Sequence, residues 1–214
     1  MATSDRRRQR KLERLAAKRK LRRKELASVK SQGLAEQLAG ASSAPVLDSL
    51  VTRDLWTQGM SNAVISRELP RGNVAVAVFL VDASCLGVKD AFGKVLSRGD
   101  YSQLRRQLTE KYEVVYLKPQ DVRKLVEEAV AYARSIGLEP HPDYYRVQPI
   151  FGEIDPREST EEFQFGGEDG TPWFIAGPHD SPAQCEKIVN TLTEHCGPDG
   201  FRFIVPAKSA AFLE

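Results

Sequence analysis

The run VAVAVFLV, residues 74–81, constrains the fold more than any other stretch. Eight apolar residues follow one another without polar alternation. Such a run reads as a strand buried on both faces, in the interior of a sheet. It follows PRGN, 70–73, a turn in which Pro fixes φ and Gly supplies a position free to take positive φ. Ahead of the turn, SNAVISREL, 61–69, alternates Ala63, Ile65 and Leu69 with polar neighbours. Arg67 interrupts the inner face of that segment, which reads as a strand near an edge.

The rest of the chain divides by periodicity. Leu47, Leu50, Val51, Leu55 and Trp56 suggest a short helical lead-in. Segments 89–97 and 100–110 read as short helices, with Asp90 capping the first and Asp100 with Gln103 resembling a cap pair in the second. Residues 112–117 form a short strand or a helix entry. Segment 119–137 carries Val122, Leu125, Val126, Ala129, Val130, Ala133 and Ile136 on one helical face, with Pro119 opening it and Gly137 closing it. FQF and WFIA flank GGEDGTP and read as a hairpin of 163–165 with 173–176. Ser181, Pro182 and Gln184 start a last helix with a capping-box pattern, and 201–205 is a final strand. The sum is an α+β fold: a mainly antiparallel sheet with helices packed on one face, preceded by a long basic N-terminal helix or arm.

Charge divides the chain as sharply. Residues 1–31 hold thirteen basic against three acidic residues, a net +10, while the remaining 18 basic and 26 acidic residues leave −8. Residues 1–38 read as a basic helical or disordered arm. Leu12, Leu15, Leu21 and Leu26 give it only a thin apolar stripe, too little to bury on a domain of its own. AGASSAP, 39–45, reads as a linker, and 46–214 as the globular domain. Within the arm, Arg6, Arg7, Arg8, Arg10 and Lys11 form one cluster, and Lys18, Arg19, Lys20, Arg22, Arg23 and Lys24 another. Closely spaced cations gain affinity for phosphate backbones by releasing counterions. The expected partner is therefore RNA, a ribosome or DNA, with a protein partner as the alternative. A membrane surface fits less well, because the stripe is thin and lacks aromatic residues. The sequence holds no apolar run of about 18 residues and no apolar stretch after its first charges, so the expected location is cytoplasmic.

Candidate chemistry lies in the body. The sparse set Cys85, Cys185 and Cys196 lacks metal spacing and fits a reducing compartment. Cys85 follows a buried strand, and nothing local supplies the base a nucleophile needs, so it reads as an inert core thiol. Asp82 and Asp90 read as turn and cap residues. Lys89 is either a solvated turn residue or part of an anion site. His141 and Asp143 in EPHPDYY, with His179 and Asp180 in GPHDSP, would make a divalent-metal set for Zn²⁺ or Fe²⁺ if the two loops met. A metal-dependent hydrolase or other enzyme using the His141 and His179 loops, with Cys85, is the alternative function on that basis. No cofactor is otherwise expected. The helix start after GPHDSP also offers N–H groups to an anion, although Asp180 and Ser181 compete for them. Glu153, Asp155, Glu158, Glu161 and Glu162 read as an acidic, solvated loop.

The blocks FLVDASCLGVKDAF, AYARSIGLEPHPDYY with FGEID, and FQFGGEDGTPWFIAGPHDS together resemble an uncharacterised bacterial protein family with VD-x-x-CLG-x-K, HPDY and GP-x-[DE] blocks. The resemblance covers roughly residues 60–205 and leaves out the basic arm. It implies that Asp82, Cys85, Lys89, His141, Asp143 and Asp180 belong to shared blocks. It lends no activity and no catalytic role.

Overall fold

The computed structural model describes residues 33–178 and 180–205. Its centre is a five-stranded antiparallel sheet: β1 (Val46–Thr52), β2 (Met60–Leu69), β3 (Asn73–Asp82), β4 (Gly87–Ser97) and β5 (Val114–Tyr116), in the order β4-β3-β2-β1-β5. The α+β class and the mainly antiparallel sheet are those the periodicity implies. β3 is an interior strand, as its unbroken apolar run requires.

Several elements differ from the expectation. Segment 46–52 is a strand, not a helical lead-in; only Leu55–Gln58 (α2) is helical there. Leu47, Leu50 and Val51 fall at helical spacing, but Asp48 to Thr52 are buried on both faces, which removes the alternation that marks a strand. Segment 89–97 is likewise strand, the body of β4, so Asp90 caps no helix. β2 is the middle strand and not an edge, because Arg67 is buried instead of facing water. Its Nε donates to Ile150 O, its Nη1 to Ala44 O and its Nη2 to Phe151 O, at 2.6–2.7 Å. Three carbonyl groups thus solvate the guanidinium in place of water.

The two faces of the sheet are covered differently. Residues 34–41 form helix α1, which spans the end of the expected arm and the start of the expected linker; Leu38 and Ala41 are buried. On the first face, α1, α4 (Pro119–Ser135) and α5 (Asp143–Val147) close over small residues, including Ala63, Ala75 and Ala77. The expected stripe of α4 is buried from Val122 to Ala133. Each large apolar side chain buried in this way contributes about 1.5–3 kcal/mol. Phe79 stacks on Phe151 with ring centroids 5.2 Å apart, which seals the layer.

On the second face lies α3 (Arg98–Lys111). It carries the chain from edge strand β4 to edge strand β5 on the far side of the sheet. Fourteen helical residues span about 21 Å, and four inter-strand gaps span about 19 Å, so one helix just makes the crossing. Ser97 caps it, accepting from Asp100 N, where the sequence pointed to Asp100 with Gln103.

The C-terminal part adds β6 (Trp173–Ile175), α6 (Pro182–Cys196) and β7 (Arg202–Ile204). β6 pairs in parallel with β7, and the expected strand at 163–165 does not form. Instead Gly166 N donates to Ala83 O and Trp173 N to Ser84 O, tying this region to the loop after β3. Ser181 and Gln184 make the expected capping box. Among the described residues, no helix is long and apolar enough to cross a membrane.

Candidate functional site

Asp82, Cys85, Lys89, His141, Asp143 and Asp180, the residues singled out in the sequence, lie around the start of β4. Asp82 ends β3, and its Oδ1 accepts from Ser84 N and Cys85 N at 3.0 and 3.1 Å, which folds the chain into the turn. Cys85 is fully buried, in a cluster with Ile136, Phe174, Val189 and Leu192. Burial pushes its thiol far up, and the nearby Asp82 adds to the shift. The same burial raises the Asp82 carboxyl to about 6, against the pull of its backbone donors and Lys89. All three cysteines are free, and Cys185 and Cys196 lie on one helix, α6. Gly87 then turns the chain at φ +65°; a Cβ there would sit 2.5 Å from Ala129 O of α4.

Two positions on, Lys89 Nζ reaches Asp180 Oδ2 at 2.7 Å. The same oxygen accepts from Gly177 N at 2.7 Å. The loop ahead of α6 is therefore bound to β4 by its own carboxylate. Ser181 Oγ accepts from Gln184 N and Gln184 Oε1 from Ser181 N, so these two N–H groups of the helix start have internal acceptors, while Asp180 serves Gly177 N and Lys89 instead.

His141 is held by its backbone, its N donating to Val88 O at 2.9 Å. Its Nδ1 accepts from Asp143 N at 3.3 Å and stands 3.8 Å from both Asp90 Oδ1 and Asp143 Oδ2. Asp143 in turn pairs with Arg146 at 2.9 Å. His179 lies outside the described residues. Among the described residues, no group of three or more His, Cys, Asp or Glu side chains is placed to hold a metal ion. The carboxylate expected from the second loop, Asp180, faces an ammonium group. The arm residues from Arg6 to Lys24 also lie outside the described residues. In the acidic loop, Arg157 donates from Nε to Asp155 Oδ1 and from Nη2 to Oδ2, and these hydrogen bonds hold the carboxyl down at about 2.

A second feature was not singled out in the sequence. α3 covers only part of the second sheet face, and a cleft of about 310 Å³ opens between it and β2–β4. The floor follows from the register. Asn62 stands opposite Leu80, which stands opposite Asp90; Val64 stands opposite Val78, which stands opposite Phe92. The helix wall is Tyr101, Leu104, Arg105 and Leu108. Behind that wall, Tyr101 Oη donates to Asp48 Oδ2 at 2.5 Å and lies 2.8 Å from Ser66 Oγ. Burial, then the hydrogen bond to Asp48, raises the phenol above its ordinary range. The helical spacing of Tyr101, Leu104 and Leu108 was the available signal, since it gives α3 an apolar face.

No family model matches this chain, and neither the curated proteins nor the solved structures contain a significant match.

Proposed function

We propose that the protein binds a polyanion, RNA or DNA, free or within a ribosome, through its cationic N-terminal segment, and that the α+β body serves as a carrier or a platform for a second partner. The observation that carries this reading is charge segregation: +10 in residues 1–31 against −8 in the rest. Roles already taken in the body support it. Lys89 and Asp180 tie a loop to the sheet, Asp82 closes a turn, and Cys85 is sealed in a core. A cytoplasmic location belongs to the same proposal and rests on three free cysteines.

The test compares the full chain with a variant lacking residues 1–32, on RNA and on DNA, across a salt series. The cut stops at 32 because Leu38 and Ala41 belong to the core. The expected result is binding that weakens steeply with salt, with a log–log slope of about 0.7–0.9 per phosphate contact, and that disappears with the segment. Absence of binding by the full chain at low salt overturns the reading.

A further inference from the structure

The cleft on the second sheet face has an apolar floor and polar groups with unspent hydrogen-bonding capacity. Val64, Val78, Leu80 and Phe92 provide the floor, and Leu104 and Leu108 the wall. Phe92, on edge strand β4, remains 47% exposed and forms the outer side of this floor. The side-chain amide of Asn62 makes no hydrogen bond among the described residues, although its backbone N donates to Thr52 Oγ1.

Arg105 is the more telling group. Its side chain is 47% exposed, and Nη1 stands 3.5 Å from both oxygens of Asp48, at the outer limit of a hydrogen bond. Asp48 already has the short bond from Tyr101 Oη. A guanidinium carries five N–H donors, so Arg105 keeps most of them for another acceptor. Lys94 stands opposite Val76 on the same face, two residues beyond Phe92; it is exposed and has no ion pair among the described residues. Asp48 is buried, so two exposed cations lie toward the α3 end, while the exposed Asp90 lies at the other.

We propose that this cleft binds a small amphipathic anion, with a ring system or short alkyl body lying on Val78, Leu80 and Phe92 and a carboxylate or sulfonate directed to Arg105. Apolar clefts of a few hundred Å³ with a few convergent polar groups are the usual form of small-molecule sites. The apolar body gains from leaving water, and the carboxylate gains charge-assisted hydrogen bonds from a planar donor. The site is independent of the basic segment and of its polyanion.

The probes are 2-naphthoate and its neutral isostere 2-naphthalenemethanol, titrated into the full chain by calorimetry. Naphthoate is expected to bind saturably at one site, about tenfold tighter than the alcohol. Arg105→Gln brings the two probes to within about twofold, with the alcohol unchanged. Phe92→Ala weakens both by about tenfold. Both residues are half-exposed, so these variants keep the core intact. The cationic segment is present throughout, so the Arg105 variant decides where the anion is held. On the unaltered chain, naphthoate shifts the NMR signals of the Val64, Val78 and Leu80 methyl groups. No saturable binding, an anion preference that survives Arg105→Gln, or shifts confined to other residues would each overturn the proposal.

Discussion

Lys89 Nζ and Asp180 Oδ2 lie 2.7 Å apart across 91 positions of sequence, with side chains only 19% and 15% exposed. The pair is the polar tie between the main sheet and the loop that leads into α6. Its partners are unequal. Asp180 also accepts from Gly177 N, whereas Lys89 has Asp180 as its partner among the described residues.

Asp180→Ala is therefore expected to lower stability by about 2–3 kcal/mol, because it strands both a half-buried ammonium and a backbone N–H. Lys89→Met keeps the stem and removes the charge, and costs about 1 kcal/mol. The double variant is less damaging than the sum of the two. Urea denaturation followed by circular dichroism reads all three; strict additivity counts against a coupled pair.

Asp82 predicts a pH dependence. Burial raises its carboxyl to about 6, so the folded protein keeps this proton to higher pH than the unfolded chain does. Its stabilising contribution is complete below the ordinary carboxylate range and is lost as pH rises through 6. Asp82→Asn keeps an oxygen for the N–H groups of Ser84 and Cys85 and removes the titration. The stability difference between wild type and variant is expected to change by roughly 2–3 kcal/mol between pH 4 and 7, in the variant's favour at the higher pH. A difference that stays flat over this window refutes the assignment.

Arg67 is buried with three carbonyl acceptors and, among the described residues, no carboxylate partner. Loss of hydration lowers its pKa. Arg67→Met leaves Ala44 O, Ile150 O and Phe151 O without these donors and is expected to cost about 3 kcal/mol or more. Arg67→Lys recovers less than about half of that, since an ammonium does not reproduce the planar spread of Nε, Nη1 and Nη2. Full rescue by Lys, seen in thermal melts, contradicts this account.

Tyr101→Phe retains the ring against the sheet and removes the hydroxyl shared by Asp48 and Ser66. The expected cost is about 1–3 kcal/mol, because a buried carboxylate loses its short donor. Ser66→Ala, which retains the Tyr101–Asp48 bond, is expected to cost less. The reverse order in chemical denaturation is the outcome that fails.

Elements with strong local signals were legible in the sequence. The stripe from Val122 to Ala133, the Ser181–Gln184 box and the unbroken run of β3 each name a structure that packing then uses without change. What misled were strands whose pattern is set from a distance. β1 is covered on both sides by helices far along the chain, and β4 shifts register opposite Leu80/Val81, which breaks its alternation. The loop at 166–170 looks like a hairpin tip, but the partner of β6 is β7, beyond α6. Arg67 shows the same limit: its acceptors Ile150 and Phe151 stand more than eighty positions away. The candidate sites followed this division. Lys89 and Asp180 were visible singly, their pairing was not, and the cleft exists only because one helix crosses a face wider than itself.

Helix α1 sets the geography of the charged segment. Leu38 is sunk in the core, and the absent side chain of Gly93 makes room for it, since a Cβ there would stand 2.8 Å from Leu38 Cδ1. Gly33 is the N-cap of that helix and marks the point at which residues 1–32 join the described body. Lys24 is nine residues upstream, and nine residues reach at most about 30 Å. On the proposed function, a polyanion held at Lys24 stays within that radius of Gly33, and one held at Lys18, fifteen residues upstream, within about 50 Å. On that reading, a ligand of the body meets the polyanion at a local concentration fixed by chain length and not by cellular abundance.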